Sequence, residues 1–490
     1  MSIKKWFVTK DTTITNAYKE NLKSRATDAN MGLSDSLEVF FIYNQTAKAN
    51  PISADKLEEA RIIIYPKFQD IWDYYGTFPT DAKFILRLFN APHPFTLPKN
   101  YTLEVHEITD SWSEGHGLDM ESYRDVGFAN WTNRKEGLTW DTTVASGTGT
   151  NLKASMSFDL GTEDLEVDLT AAIQAGWNNG EPETAYVIKF PSTDTDDSGD
   201  STPNFYTKKF FARSSEFFFK RPVLEVRRQD AVEDNRGNFY KASSALSNAD
   251  NQRKLFFYNS VNGVRKSFQI PEGGKLIVRL YKDSTYTTAF SSDIVVAASE
   301  TFLGSGIYSA TVTLPESTTE TKIYDRWSIS VDGSNETNIL KEGSIKVLTR
   351  DFSTDSGNTE YVLNVINMKP SYLRTENPKF RVYTRAKDWA PTIYTVASKE
   401  IENLIIEKIY YKIVRLVDDA VVVDYGNGTS DASLNKEHTL LSYDASGSYF
   451  DFDMSNLESG YMYGIKFMLS INGELKEQDE VFKFRVDWWA

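Results

Sequence analysis

At 490 residues, the chain is too long for one hydrophobic core, and its length predicts about three or four domains. Its 54 basic and 69 acidic residues give a net charge of −15, which argues against nucleic acid or an anionic membrane as the main partner. The chain has no cysteine, which excludes disulfide bonds, thiolate metal sites and cysteine nucleophiles.

The N-terminal residues 1–6 contain no apolar run of the kind that forms the centre of a signal peptide. No segment of the sequence approaches the length of a membrane-spanning helix. We therefore expect synthesis in a cytoplasm, without a signal peptide, and no membrane partner.

The first predicted module, residues 1–229, begins with short apolar segments that are typical of β-strands. A polar stretch from residue 110 to residue 149, which carries Trp112, Trp131 and Trp140, then interrupts the series. A loop this long is uncommon in a compact domain unless it is ordered for a purpose. The strands predicted before this loop are residues 38–43, 60–65, 83–89 and 101–106.

The second predicted module covers residues 230–355, and the third covers residues 356–490. A Ser-, Asp- and Gly-rich segment at residues 351–359 is predicted to be the linker between them. The strands predicted in these two modules are residues 254–258, 275–281, 308–314, 327–331, 379–383, 409–416, 421–425 and 461–469.

The clearest strand pattern lies near the C-terminus, at residues 482–488. Phe482, Phe484, Val486 and Trp488 fall on one face and charged residues on the other, because successive side chains of a strand point to opposite sides. We predict that this apolar face, including Trp488, points inward. Helix is predicted only at residues 171–177 and 399–408. The fold class is therefore all-β, with stacked antiparallel β-sandwiches.

Three groups of residues in the first module resemble the DNRLRE-type jelly roll, a family related to carbohydrate-binding modules. The resemblance implies that the first module is a jelly-roll sandwich, and we expect two immunoglobulin-like β-sandwiches after it. The residues that carry it are 109–115 with 129–131 and Trp140, then 165–170 leading to Trp177, and finally 211–216 followed by 221–226.

Downstream, the chain is similar to structural proteins of large tailed marine bacteriophages. The similarity lies in residues 234–240, 387–394 and 441–450. It implies a virion component that has no known catalytic residues and is made in the host cytoplasm. It does not imply a particular position in the particle.

The acidic residues of the long loop are candidate ligands for calcium, namely Asp110, Glu114, Asp119, Glu121 and Asp125. Calcium requires six to eight oxygen ligands on a flexible backbone, which a loop of carboxylates and carbonyls can supply. The alternative is a solvated loop in which Asp and Ser side chains cap turns. No EF-hand spacing is present to separate the two.

The loop tryptophans Trp112, Trp131 and Trp140 have two interpretations. Flat aromatic faces can stack on sugars, which would make the loop a glycan platform. Alternatively, the three rings pin the loop onto the sandwich beneath it, and we favour this packing role.

The sequence contains no catalytic signature. Its four histidines lack metal-ligand spacing, and neither a nucleophile elbow nor a phosphate-binding glycine loop occurs. A pair of carboxylates for glycoside hydrolysis cannot be recognised among 69 acidic residues without a known separation. We therefore predict that the chain is not an enzyme.

Trp489 lies one residue beyond the predicted inward face of the C-terminal strand. Alternation would present it outward, where it would resemble the tryptophans that anchor protein interfaces. The alternative is that the strand ends at Trp488 and that Trp489 folds over the end of the sandwich.

Together these observations predict a non-enzymatic structural protein of a tailed-bacteriophage virion, located at the capsid surface, neck, tail or baseplate. The expected partners are other virion proteins, including further copies of the chain, and not nucleic acid or membrane. No cofactor is expected apart from the calcium considered above. The alternative function is a carbohydrate-binding adhesion module that recognises host surface glycans.

Overall fold

The computed structural model describes most of the chain, and its secondary structure is almost entirely β-strand, which confirms the predicted all-β class. No helix among these residues is long and apolar enough to cross a membrane. The described residues are 3–43, 57–93, 97–121, 127–141, 143–146, 149–191, 205–267, 270–272, 274–290, 294–295, 306–331, 336, 338–350, 360–390, 392–393, 403–426, 437–471 and 473–488.

These residues form two compact units, one from residue 3 to residue 227 and one that begins at residue 228. The strands of the first unit are β1 (Ile3–Phe7), β2 (Lys10–Thr15), β3 (Ser36–Tyr43), β4 (Leu57–Tyr65), β5 (Ala82–Leu88), β6 (Tyr101–Ile108), β7 (Asn133–Lys135), β8 (Leu138–Thr139), β9 (Leu152–Phe158), β10 (Leu165–Asp168), β11 (Ala185–Lys189), β12 (Phe205–Phe211) and β13 (Val223–Arg228).

Two sheets of the first unit have the strand order of a jelly roll. One sheet runs β1–β13–β5–β10, and the other contains the run β4–β11–β6–β9 and is extended by β3, β12 and β2. Neighbouring strands in both sheets pair antiparallel, for example Trp6 with Leu224 and Val187 with His106. Strands from the N-terminal half of this unit thus pair with strands from its C-terminal half, as in two interlocked Greek keys.

The main core of this unit lies between the two sheets, where side chains such as Phe84, Leu103 and Leu224 are fully buried. Two helices pack against this core, α1 (Phe68–Tyr75) and α3 (Thr170–Asn179), and their Trp72 and Trp177 rings lie 5.2 Å apart. A four-residue helix, α2 (Thr143–Ser146), and a 3-10 turn at Phe218–Lys220 complete the unit.

The second unit contains the remaining described strands and two further 3-10 turns at Asn235–Gly237 and Met454–Asn456. Its strands are β14 (Arg253–Tyr258), β15 (Ser260–Val261), β16 (Val264–Arg265), β17 (Lys275–Tyr281), β18 (Ile294–Val295), β19 (Ile307–Val312), β20 (Lys322–Ser330), β21 (Asn338–Lys346), β22 (Tyr361–Val365), β23 (Ser371–Leu373), β24 (Lys379–Ala386), β25 (Ile409–Arg415), β26 (Ala420–Val423), β27 (Ser442–Asp444), β28 (Gly447–Asp451), β29 (Met462–Ile471), β30 (Glu474–Glu477) and β31 (Phe482–Asp487).

The first half of this unit contains strands β14 to β21, and we call it module two. It is a sandwich of the pair β14–β19 and the sheet β18–β17–β20–β21. Trp327, on β20, is fully buried in its core, and its ring lies 5.6 Å from that of Phe257 on β14. The indole N–H of Trp327 donates to the Asp325 carboxylate at 2.8 Å, so its polar atom is satisfied inside the core.

The second half, module three, has the strand arrangement of an immunoglobulin domain. The sheet β22–β24–β28–β27 corresponds to strands A, B, E and D, and β31–β29–β25 corresponds to G, F and C. Near the start of β29, the buried Tyr463 hydroxyl donates to the Glu458 carbonyl at 2.7 Å, which is the tyrosine corner of this fold. Tyr411 and Phe450 stack between the sheets with centroids 4.3 Å apart.

Two secondary-structure expectations need correction. Residues 403–408 of the predicted helix 399–408 are not helical, and residues 399–402 lie outside the described chain. Helix α1 was not predicted. The domain limits 1–229, 230–355 and 356–490 remain predictions, and the limit near residue 355 lies outside the described residues.

Candidate functional site

The long tryptophan-bearing loop lies on the outer face of the larger jelly-roll sheet. Along β4, Ile62 and Ile64 face the core between the sheets, whereas Ile63 and Tyr65 belong to a second apolar cluster. Because alternate side chains of a strand point to opposite faces, this second cluster lies on the other side of the sheet. The sheet is therefore covered on both faces.

Trp112 and Trp140 are buried in this second cluster, with 4% and 9% of their surface exposed. Trp131 is only partly buried, and the Arg61 guanidinium lies 5.0 Å from its ring centre. The Trp140 indole N–H donates to the Asn130 carbonyl at 2.9 Å. Two of the three predicted aromatic residues therefore pack the loop onto the sheet and present no free face on which a sugar could stack.

Asn30 holds the beginning of the loop in place. Its side-chain amide donates to the carbonyls of Glu114 and Ala129 at 2.7 and 2.8 Å, and its side-chain oxygen accepts the N–H of Gly117. A Cβ atom on Gly117 would lie 1.9 Å from the Asn30 carbonyl oxygen, so only glycine fits there. The sequence pattern did not indicate this structural role of Asn30.

The five calcium candidates are in different environments. Asp110 is buried, Glu121 accepts the backbone N–H of Glu20 at 3.1 Å, and Asp119 accepts that of Glu121 at 2.8 Å. Asp125 lies outside the described residues. Among the residues that are described, no group of three or more Asp, Glu or His side chains is placed to hold a metal ion. A calcium site remains a prediction that rests on the sequence alone.

Glu114, the remaining candidate, is held by a cation from a distant part of the chain. Arg213 donates to its carboxylate through Nε at 3.1 Å and through Nη2 at 2.8 Å. The same carboxylate accepts the N–H of Asp11, and Asp11 in turn accepts the N–H of Arg213 at 2.6 Å. The loop, β2 and the turn after β12 therefore meet at one polar cluster.

Asp11 is the most unusual titratable group of this cluster. Burial and the nearby Glu114 charge raise its pKa, the N–H and the charge of Arg213 oppose this rise, and the net pKa is about 7. Near neutral pH the Asp11 carboxyl can therefore be either protonated or ionised.

A second charged network, on the smaller jelly-roll sheet, was also missed by the sequence reasoning. The buried Glu225 lies 3.2 Å from Lys5, 3.3 Å from Arg87 and 2.7 Å from Arg227. Burial alone would raise the pKa of Glu225, but these three cations hold it well below its usual value. The proximity of Lys5 to Glu225 follows from the strand register, which places the two residues opposite each other and which the sequence alone does not give.

The prediction that Trp488 points inward is wrong. Strand β31 ends at Asp487, and 64% of the Trp488 surface is exposed. The chain has left the sheet at this point, so the alternation that buries Phe484 and Val486 no longer applies. Trp489, the predicted interface residue, lies outside the described residues.

Trp488 lies at the same sheet end as three other exposed apolar side chains, Val417, Tyr461 and Met462. The backbone brings these positions to one sheet end, since the N–H of Leu416 donates to the Met462 carbonyl at 3.0 Å and the N–H of Val486 donates to the Tyr461 carbonyl at 3.1 Å. We call these four residues the apolar patch of module three. Grouped exposed apolar side chains mark interaction sites more often than isolated apolar residues do.

Comparisons with known proteins give no sequence-level relative. No protein-family model matches the chain, and no curated protein is similar to it in sequence. No family match therefore supports the resemblance to DNRLRE-type jelly rolls or to phage structural proteins, although the first unit does have the jelly-roll strand order.

The chain is similar to several solved structures, each at low sequence identity and with a low TM-score. They include the FN1–FN3 domains of chicken CNTN1, at 9% identity over 62% of this chain and 82% of that one, with a TM-score of 0.16. Three N-terminal domains of the bacteriophage RB49 outer capsid protein Hoc match at 10% identity over 82% and 91%, with a TM-score of 0.15. Trypsin-activated Escherichia coli alpha-2-macroglobulin matches at 8% over 92% and 29%, with a TM-score of 0.16. TM-scores this low carry no argument about function.

Proposed function

We propose that the chain is a non-enzymatic structural protein of a tailed-bacteriophage virion that acts through protein–protein contacts. The sequence resemblance in residues 234–240, 387–394 and 441–450 supports the assignment to a virion. The architecture supports the mode of action, because sandwich modules in series provide surfaces and joints for assembly.

The observation that carries the proposal is the apolar patch of module three. Its four side chains are exposed at the end of a sheet whose interior is fully packed, so the patch does not belong to the core of its own module. Tryptophan and tyrosine are enriched among the residues that dominate protein interfaces, and Trp488 and Tyr461 supply both types here.

The partners that we propose are other virion proteins, including further copies of the chain, and not nucleic acid or membrane. The proposed location is the virion, at the capsid surface, neck, tail or baseplate. The net charge of −15 supports protein partners over nucleic acid, because the phosphate backbone would repel an acidic surface.

The proposal is tested by mass spectrometry of phage particles purified on density gradients from the bacteria in which the chain is made. We expect the chain in DNA-filled particles at a fixed stoichiometry, and its absence from them would refute the virion role. The double variant Val417→Ser with Trp488→Ser should fold normally but be depleted from particles.

The matched control for that variant is Val264→Ser, because Val264 is equally exposed on β16 and lies outside the patch. The control should enter particles as the unchanged chain does. Equal incorporation of both variants would show that the patch is not the contact surface. Binding on a glycan array by the free protein would favour the adhesion alternative, against which the burial of Trp112 and Trp140 argues.

A further inference from the structure

Residues 231–240, which we call the shared segment, contact two modules in alternation. They precede the first strand of module two, yet Ala231 packs in an apolar cluster with Tyr410 of module three. The next residue, Val232, packs with Phe256 of module two. Since successive side chains of an extended chain point in opposite directions, one segment can serve two modules at once.

The backbone of the shared segment pairs with a different module at each end. The N–H of Tyr443, in module three, donates to the Val232 carbonyl at 2.8 Å, and the N–H of Asp234 donates back to the Tyr443 carbonyl at 3.0 Å. Further along, the N–H of Leu348, in module two, donates to the Phe239 carbonyl at 2.8 Å. The segment therefore makes one isolated parallel β-bridge with each module, Glu233 with Tyr443 and Tyr240 with Leu348.

Asn235 links the two modules through one side chain. Its amide nitrogen donates to the Tyr443 hydroxyl at 3.1 Å, and its oxygen accepts the N–H of Lys254, on β14, at 2.8 Å. Three residues later, the Asn238 amide donates to the Glu407 carboxylate at 3.2 Å. Both asparagines are buried, and so is the Tyr443 hydroxyl contact, so water does not readily replace the bond between Asn235 and Tyr443.

Arg236 anchors the shared segment to the core of module two. Its guanidinium donates to both oxygens of the fully buried Asp325, at 2.8 and 2.5 Å. Burial alone would raise the pKa of Asp325, but the hydrogen bonds and charge of Arg236 lower it, so the carboxylate stays ionised. A bidentate pair of this kind fixes orientation as well as distance.

Gly237 faces module three at close range. A Cβ atom there would lie 2.3 Å from the Ile405 side chain and 3.1 Å from the Asp444 carbonyl oxygen. The neighbouring residues Arg236 and Gly237 therefore contact different modules. The close approach of Gly237 to module three leaves no room for a larger side chain at this position.

We propose that the shared segment locks modules two and three into one rigid body that moves and unfolds as a unit. Consecutive immunoglobulin-like modules joined only by a linker would move independently, since relative motion is the default where the interface is small and polar. Here buried hydrogen bonds, an ion pair and two apolar contacts oppose that motion. This inference concerns the second unit alone and does not depend on the proposed virion role.

The experiment is pulsed dipolar spectroscopy on the full chain, which has no native cysteine to interfere with spin labelling. One label is placed on module two through Lys346→Cys and one on module three through Lys483→Cys, both at exposed strand positions. We expect one narrow distance distribution. A broad distribution in this background would overturn the proposal.

The contacts of the shared segment, which we call the lock, are tested with two variants. Gly237→Val places a bulky side chain against module three and forces the two apart. Tyr443→Phe removes only the hydroxyl that accepts from Asn235. Gly237→Val should widen the distribution at least about twofold, and Tyr443→Phe should widen it less. Thr313→Val, an exposed position in module two, is the matched control and should leave the width unchanged.

A second label pair within module three, Asn364→Cys with Lys483→Cys, separates loss of the lock from loss of the fold. This pair should stay narrow in both lock variants. If Gly237→Val also widens the internal pair, the module has unfolded and Tyr443→Phe decides the question. A narrow inter-module distribution that neither variant changes would show that the shared segment is not the lock.

Discussion

Glu114 and Arg213 form a bidentate ion pair although 99 residues separate them, and the pair ties the long tryptophan-bearing loop to the turn after β12. Both side chains are partly buried, so the pair is shielded from water on one side. A carboxylate that appeared in the sequence as a calcium candidate therefore has a structural partner.

We predict that Glu114→Gln destabilises the first unit by about 1–3 kcal/mol, because the Arg213 guanidinium loses a charged acceptor. Calorimetry of the full chain should show a lower melting temperature. The matched control is Glu121→Gln, which alters an exposed carboxylate in the same loop and should change little. Equal effects of the two substitutions would contradict the role of the ion pair.

We predict that Trp112→Ala is more destabilising than Trp131→Ala. The buried Trp112 ring fills the second cluster, and its removal leaves a cavity that should cost about 3–5 kcal/mol. Trp131 is only partly buried at the edge of this cluster, and its contact with the Arg61 guanidinium is worth about 1 kcal/mol. The melting temperatures of the two variants test this order, and a larger loss for Trp131→Ala would refute it.

The sequence predicted most strands correctly because period-two alternation follows directly from strand geometry. It missed helix α1, whose residues Phe68, Ile71, Trp72 and Tyr75 do follow a helical spacing. Aromatic and β-branched side chains favour strands when propensity alone is considered. Here burial of these residues against the jelly-roll core stabilises the helix instead. The strand order of the jelly roll came from the resemblance and not from periodicity, since periodicity carries no information on which strands pair.

The site residues were less predictable than the fold. Types and spacing suggested that the loop tryptophans pack, but Arg213 lies 99 residues from Glu114 and Arg87 lies 138 residues from Glu225. Such pairs depend on sheet register, which one sequence does not reveal. Trp488 was misplaced for a local reason, because the pattern could not indicate that the strand ends one residue earlier.

We predict that Asp11→Asn stabilises the first unit at pH 8 and has little effect at pH 4. The folded protein holds the pKa of Asp11 at about 7, above the ordinary value of 3.8, so folding favours the protonated form. The contribution of Asp11 to stability is therefore greatest below about pH 4, falls as the pH rises from about 4 to about 7, and then levels off. Asparagine resembles the protonated side chain and removes this loss.

Melting temperatures of Asp11→Asn and the unchanged chain between pH 4 and pH 8 check this prediction. Asp159→Asn, at an exposed carboxylate in the same unit, controls for the change in net charge. A stabilisation that is constant over the whole range would show that the titration of Asp11 is not its cause.

The last prediction concerns the tyrosine corner of module three. Tyr463→Phe should destabilise the second unit by about 0.5–1.5 kcal/mol, because the Glu458 carbonyl loses the hydroxyl that donates to it at 2.7 Å. Trp488→Ser, at the exposed end of the same sheet, should change the free energy of unfolding by less than about 0.5 kcal/mol. Calorimetry of both variants separates the two roles. A loss of stability in Trp488→Ser equal to that in Tyr463→Phe would mean that Trp488 supports its own module and is not free to anchor a partner.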